Sequence, residues 1–293
     1  NSRTVTWTVT DANDDDAEAS NTSPAVEQTI TITADNDDPV ITGLLTQGYT
    51  ENHVGASATV IGAGLTLADS DDTDLAGATV SIIAGEFAES TGDDATTNKK
   101  LGADGDLLGF GATSQSSADT WTFGDITATR NAAGDQLTLS GSATKDAYEA
   151  VLQDVTYEST SHNLTDQDTE NSRTVRWQVT DANDDAAGTE SSAEVFQTIT
   201  ITADNDDPVI TGLSLSTLDY IENNNGADAT VIGAGLTLTD VDDTNLAGAT
   251  VTITAGEFDA SAGGLGDDGD LLGFGADAGD DSAGDDTVSW TFG

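Results

Sequence analysis

Internal repetition limits what this chain can fold into more than any other feature. NSRTVTWTVTDAND at residues 1–14 returns as NSRTVRWQVTDAND at 171–184, an offset of 170. QTITITADNDDPVITGL begins at Gln28 and again at Gln197, an offset of 169. ATVIGAGLTL recurs from Ala58 and Ala229, LAGATV from Leu75 and Leu246, GDLLGF from Gly105 and Gly269, and WTFG from Trp121 and Trp290. The changing offset places insertions and deletions between the matching blocks, where surface loops lie. The unit is a domain of about 170 residues in tandem, and the chain reads as a window onto a longer array. Residues 1–38 correspond to the C-terminal part of one repeat, 39–207 to a complete repeat and 208–293 to the N-terminal part of the next.

What repeats is strand and acidic turn. In RTVTWTVTD, Val5, Trp7 and Val9 face one way and Thr4, Thr6, Thr8 and Thr10 the other, the period of a half-buried strand. TITITA, ATVIGAGLTL, GATVSII, TWTFGDITAT, QLTLSGSA and VTYES read the same way. About eight strands per unit, separated by Gly, Asn and Asp turns, predict an all-β fold of tandem antiparallel sandwiches. The helical candidate is Lys145–Val155, where Tyr148, Val151, Leu152 and Val155 fall at helical spacing, and it is expected as a crossover on one edge. The two copies diverge most between Glu86 and Thr120, which is expected as a surface excursion. Pro39 and Pro208 each follow a DNDD run, and proline after four polar residues makes a short, stiff linker, so successive domains are expected end to end.

Charge narrows the partners. Fifty-four acidic residues against seven basic give a net charge of -47, a surface that repels nucleic acid and anionic lipid. Hydrophobic residues at 36%, gathered in Val, Ile, Leu and Thr blocks, supply a folded core. No apolar run approaches the ~18 residues of a membrane span. The chain has no Cys, which removes disulfides, thiolate nucleophiles and Cys-based zinc sites. For an exposed, extracellular array the acidic residues are the alternative staple.

Those residues recur in register. ADNDDP supplies Asp35, Asn36, Asp37 and Asp38, and again Asp204, Asn205, Asp206 and Asp207. TDAND supplies Asp11 and Asp181, an EN pair Glu51 and Glu222, and DxDD the sets Asp69, Asp71, Asp72 and Asp240, Asp242, Asp243. Two carboxylates ~4 Å apart repel by about 4 kcal/mol at an effective dielectric near 20, so a cluster of four or five needs protons or a cation. Calcium accepts six to eight oxygens from carboxylates, Asn side chains and carbonyls; magnesium takes fewer protein ligands, and zinc prefers His or Cys. A lone DD pair reads better as solvated surface, whereas DNDDP, repeated with its Asn and Pro, reads as a metal linker. For Asp104, Asp106, Asp268 and Asp270, ordinary Asp-Gly turn chemistry and metal binding both remain open.

The EN pair, the DxD after the second apolar block, the V-x-D late in the domain and the D-x-N-D-x-x-P junction together resemble the cadherin-like repeats of bacterial giant surface adhesins. LTLSGSATKDAYEAVLQDVTYESTSHN followed by RTVRWQVTDAND is especially similar to repeats of secreted calcium-binding adhesins of the repeats-in-toxin type. The resemblance implies Greek-key sandwiches with calcium bound between consecutive domains. It groups Glu51, Asp69, Asp71 and Asp35–Asp38 at one junction, and Glu222, Asp240, Asp242 and Asp204–Asp207 at the other. Asp11 and Asp181 map onto a late aspartate contributed by the preceding unit. The mid-domain D-R-E of animal cadherins is missing, so the number of ions per junction stays open.

Catalysis is disfavoured. His53 aligns with Asn224, and His162 also lacks a counterpart in the other copy. Glycosidase chemistry needs a cleft with tuned carboxyls and usually aromatic platforms, whereas Trp7, Trp121, Trp177 and Trp290 recur inside strands. Lysine crosslinks are improbable with only Lys99, Lys100 and Lys145 available. The expectation is a non-enzymatic calcium-rigidified stalk of a secreted bacterial adhesin, serving adhesion or biofilm formation, with neighbouring repeats of the same chain as partners. The alternative is an extracellular filament, sheath or matrix fibre of identical chains; a carbohydrate-binding module is a third reading.

Overall fold

The alternation in SRTVRWQVTD becomes a strand, Ser172–Asp181, buried at every second position. Its inward face carries Arg173, Val175, Trp177, Val179 and Asp181: an apolar middle with a charge at each end. The computed structural model describes residues 1–12, 22–51, 58–85, 105–111, 115–117, 119–165, 170–184, 186–213, 217–220, 230–253 and 272. Glu222, His53, Lys99, Lys100, Asp104, Asp268, Asp270 and Trp290 lie outside the described residues. The chain divides into two units, Asn1–Asn205 and Asp206–Gly293.

Among the described residues the structure is mostly β-strand with one short helix. The first unit holds β1 (Ser2–Trp7), β2 (Val26–Thr31), β3 (Val40–Thr42), β4 (Gln47–Thr50), β5 (Thr59–Val60), β6 (Thr66–Ala68), β7 (Asp74–Ala84) and β8 (Asp106–Phe110). It continues with β9 (Gln115–Ser117), β10 (Thr120–Phe123), β11 (Ile126–Arg130), β12 (Gln136–Thr144), α1 (Lys145–Gln153), β13 (Val155–Ser159), β14 (Ser172–Asp181) and β15 (Val195–Thr202). The second unit holds β16 (Val209–Thr211) and β17 (Thr237–Thr239), paired antiparallel. In the first unit an eight-stranded sheet runs β4-β15-β14-β7-β12-β11-β10-β9, and a three-stranded sheet runs β5-β13-β8. Both contribute to one core, where Trp177, Val80 and Leu137 of the larger sheet join Leu108 and Tyr157 of the smaller.

The helix connects the two sheets, leaving β12 of one and entering β13 of the other. Thr144 caps its start by accepting a hydrogen bond from the Ala147 N–H at 3.3 Å, and Tyr148, Val151 and Leu152 are its buried face. It ends at Gln153, two residues before the expected limit: Asp154 leaves helical geometry, and β-branched Val155 pairs with Phe110 as a strand residue. ATVIGAGLTL, expected as one strand, is two strands separated by a turn. A Cβ on Gly62 would lie 1.9 Å from the Leu152 carbonyl oxygen, so the helix end packs where only glycine fits.

The expected all-antiparallel pairing is also corrected, since β4 runs parallel to β15. The reason is the path of the chain. The linker Asn36 lies at the Asp181 end of β14, while Asp204 follows β15 beyond the Ser172 end. A repeat entered at one end of its sheet and left at the other has first and last strands running the same way, and neighbours of that kind must pair parallel.

Charge at the Arg173 end is neutralised internally. Arg173 Nε donates to Asp106 Oδ2 at 2.5 Å, both side chains being 0% exposed. The Tyr157 hydroxyl donates to Asp106 Oδ1 at 2.6 Å, and Arg173 Nη2 donates to the Leu164 carbonyl at 3.0 Å. Guanidinium and phenol engage both Asp106 oxygens, so the metal reading of this position falls. Breaking such a pair strands a buried charge, whereas replacing both partners by apolar residues does not. Arg173→Met is therefore expected to cost about 3–5 kcal/mol, read as a lower urea midpoint at unchanged slope. The double variant Arg173→Met/Asp106→Leu is expected to recover most of that loss.

Candidate metal centre

At the other end of β14 the Asp181 carboxylate forms no ion pair with the described residues and accepts from the Asn36 amide and the Glu190 N–H. After β6 the chain turns through Asp69–Asp72, and Asp69 Oδ1 accepts the N–H groups of Asp71 at 3.3 Å and Asp72 at 3.0 Å. This is the Asx geometry that favours Asp in turns. The turn is tied to the segment following β14: the Asp184 N–H donates to Asp72 Oδ1 at 2.5 Å. In return Asp184 Oδ2 accepts the Thr73 N–H at 3.0 Å, the Thr73 hydroxyl at 2.8 Å and the Asp74 N–H at 3.0 Å. Asn183 shapes that segment with a left-handed backbone (φ 61), its Oδ1 accepting the Gly188 N–H at 2.7 Å.

The entry linker closes over this turn. Asn36 Nδ2 donates to Asp181 Oδ2 at 2.8 Å, and the Asp37 N–H donates to Asp71 Oδ2 at 2.9 Å. Asp69, Asp72 and Asp181 each present a carboxylate oxygen within 4.8 Å of the others, with Asp72 1% and Asp181 0% exposed. Four oxygens, Asn36 Oδ1, Asp69 Oδ2, Asp71 Oδ1 and Asp181 Oδ1, are shut off from solvent and accept no hydrogen bond from the described residues. Buried carboxylate oxygens without donors are costly, and these belong to side chains already oriented by their other atoms. The set is all oxygen and mostly anionic, and it can hold a metal ion.

The second unit repeats the local geometry. The Asp206 N–H donates to Asp242 Oδ2 at 3.0 Å, as Asp37 does to Asp71, and the Asp243 N–H donates to Asp240 Oδ1 at 3.2 Å, as Asp72 does to Asp69. Asp240, Asp242 and Asp243 form the second acidic group, and Asp242 Oδ1 has no hydrogen-bond donor among the described residues. Desolvation, helped by a hydrogen bond with Asp240 and its charge, pushes the Asp242 carboxyl up against the opposing Asp206 N–H. Asp184 goes the other way, held low by the Thr73 hydroxyl and the backbone N–H groups of Asp74 and Thr73.

The grouping expected from sequence is corrected. Glu51 does not join Asp69 and Asp71. It lies beyond the other end of β14, about 30 Å away along a ten-residue strand, because β4 carries it alongside Thr202. There Glu51 is 2% exposed, and its carboxylate accepts the Leu164 N–H at 3.0 Å and the Asp204 N–H at 3.4 Å. Asp181 sits at the entry linker of its own repeat, not at the exit. Asp35, Asp38, Asn205 and Asp207 are exposed on the linkers, and Asp11 is exposed after β1. Three positions lie outside the expected ligand set: Asp72 and Asp243, read only as part of the DxDD motif, and Asp184. The recurrence of TDANDD at 10–15 and 180–185 was the signal for Asp184. The chain matches no protein-family model and no curated protein.

Two tests follow from this geometry. A divalent-cation titration is expected to resolve two classes, the tighter at Asp69–Asp181. Asp181→Asn should weaken that class at least about tenfold, the lower end of what an indirect partner of a ligand is worth, and spare the Asp240–Asp243 class. Carboxyl NMR without cation should find Asp242 titrating above 3.8 and Asp184 below it. The raised Asp242 stabilises the fold below pH 3.8 and loses that contribution as pH climbs through its folded value; Asp184 contributes above pH 3.8 and loses it as pH falls through its own. Cation should lower the Asp242 midpoint by competing with its proton.

Proposed function

We propose that this chain is a non-enzymatic structural segment of a large extracellular bacterial adhesin, in which cadherin-like Greek-key sandwiches are strung end to end and stiffened by calcium. The observation that carries this reading is the set of donor-free oxygens where the entry linker meets the Asp69–Asp72 turn and Asp181. An all-oxygen set containing carboxylates and an Asn carbonyl suits calcium, whose flexible coordination tolerates an irregular cage; zinc would draw on His or Cys.

The mechanism is electrostatic. Without cation the carboxylates of the Asn36–Asp38 linker and the turn repel one another against a few hydrogen bonds, and the linker samples more orientations. With calcium they share one ion, and a short proline-flanked linker stops acting as a hinge. Repeats held this way serve as a spacer that carries a binding module away from the cell. The opposite placement of entry and exit linkers supports this reading, since it is what a linear array requires.

Small-angle scattering and thermal unfolding in calcium, in chelator, and in chelator with sodium chloride of matched ionic strength test it. Calcium at 100 times its Kd should add about 2.7 kcal/mol per site, or roughly 5–10 °C in Tm, and yield a rigid elongated particle. Equal rigidity and Tm in sodium chloride would reduce the carboxylates to a solvated surface. Concentration-dependent bundling in calcium would favour a fibre of identical chains over a stalk.

A further inference from the structure

The Asp69–Asp72 turn is also gripped by the first residue of the helix. Lys145, the first residue of α1, donates from Nζ to the Asp69 carbonyl at 2.7 Å and to the Asp72 carbonyl, while its own backbone N–H donates to the Thr73 carbonyl at 3.2 Å. The two carbonyls bonded by Nζ belong to the aspartates whose side chains meet Asp181. One ammonium thus holds both ends of a four-residue turn and fixes the spacing of the carboxylates projecting from it. The chain has three lysines, and this one is placed by the capped start of the helix packed into the core.

We propose that Lys145 is a positioning residue of the cation centre, clamping the backbone of the Asp69–Asp72 turn so that Asp69 and Asp72 meet Asp181 before any ion binds. This rests on the calcium reading above. Two effects of the ammonium oppose each other. As a bare charge beside the site it repels a divalent ion, so its removal would tighten binding. As a clamp it removes the conformational freedom that repelling carboxylates would otherwise exploit, so its removal weakens binding. The carbonyl geometry points to the clamp as the larger effect, and the sign of the change in affinity decides between them.

The test is calorimetric titration of the whole 293-residue chain with calcium chloride. Lys145→Met keeps the stem and drops the ammonium. It is expected to weaken the tighter class at least about tenfold and to leave the Asp240–Asp243 class unchanged as an internal reference. Lys145→Arg, which keeps charge and donors, should restore most of the loss. Unchanged or tighter binding by Lys145→Met overturns the proposal. Tyr148→Phe separates positioning from general support of the helix, because it removes only the 2.6 Å bond from the Tyr148 hydroxyl to the Gly141 carbonyl. It should lower Tm and leave calcium affinity at the wild-type value; an equal loss of affinity in Tyr148→Phe also overturns the proposal. Should Lys145→Met fold only with calcium, the same comparison is read from the calcium concentration that half-restores the near-ultraviolet signal of each variant. A wild-type chain that binds no calcium sinks the function proposed above, whereas wild-type binding matched by Lys145→Met sinks the clamp alone.

Discussion

Repulsion among carboxylates that the fold itself gathers is the constraint on which this structure turns. A chain with 54 acidic and seven basic residues can dilute most of its charge over a solvated surface. It cannot do so where Asp69, Asp71, Asp72 and Asp181 converge, because the strands that carry them are fixed by a core lying elsewhere. Their placement is an expense set against the burial of Trp177, Val80 and Tyr157, and the structure keeps it local with backbone N–H donors. Asp69 takes two from its own turn, Asp184 takes those of Thr73 and Asp74, and Asp71 takes one from the linker. What is left over is a set of buried oxygens that accept no hydrogen bond from the described residues.

Strand β14 shows two solutions to the same electrostatic problem. At its start Arg173 meets Asp106 in the interior, with Tyr157 completing the shell of that carboxylate. At its end Asp181 meets, among the described residues, further acids, an Asn amide and the Glu190 N–H. The first solution is permanent, since neither partner can leave the protein. The second leaves carboxylates that can hold a metal ion. Where the counter-charge is covalently part of the chain the charged pair behaves as core.

Much of this was legible in the sequence. Alternation marked β14 because one face of a strand meets the core and the other meets water, and spacing marked α1 through Tyr148, Val151 and Leu152. The acidic residues stood out through recurrence, since Asn36, Asp69, Asp71 and Asp181 occupy equivalent places in both copies. The parity of Arg173 with Val175, Trp177 and Val179 was also there to be read, and it indicated an inward guanidinium. Its partner was not readable, because Asp106 lies 67 residues away and no local rule spans that distance. Likewise the turn within ATVIGAGLTL depends on the end of α1 approaching Gly62, a contact made only in three dimensions.

The sequence by itself determined the repeat unit, the strand-rich class, the helix and the inventory of oxygen ligands, because each is encoded in residue type and short-range spacing. Only the tertiary structure decided which carboxylates share a site. Glu51 and Asp69 are 18 residues apart yet belong to opposite ends of the sheet, while Asn36 and Asp181, 145 residues apart, share a hydrogen bond. Strand direction settles this: β4 runs parallel to β15 and carries Glu51 to the exit, and β14 runs back and delivers Asp181 to the entry. Proximity along the chain is a poor guide when each strand carries its ends roughly 15–30 Å apart.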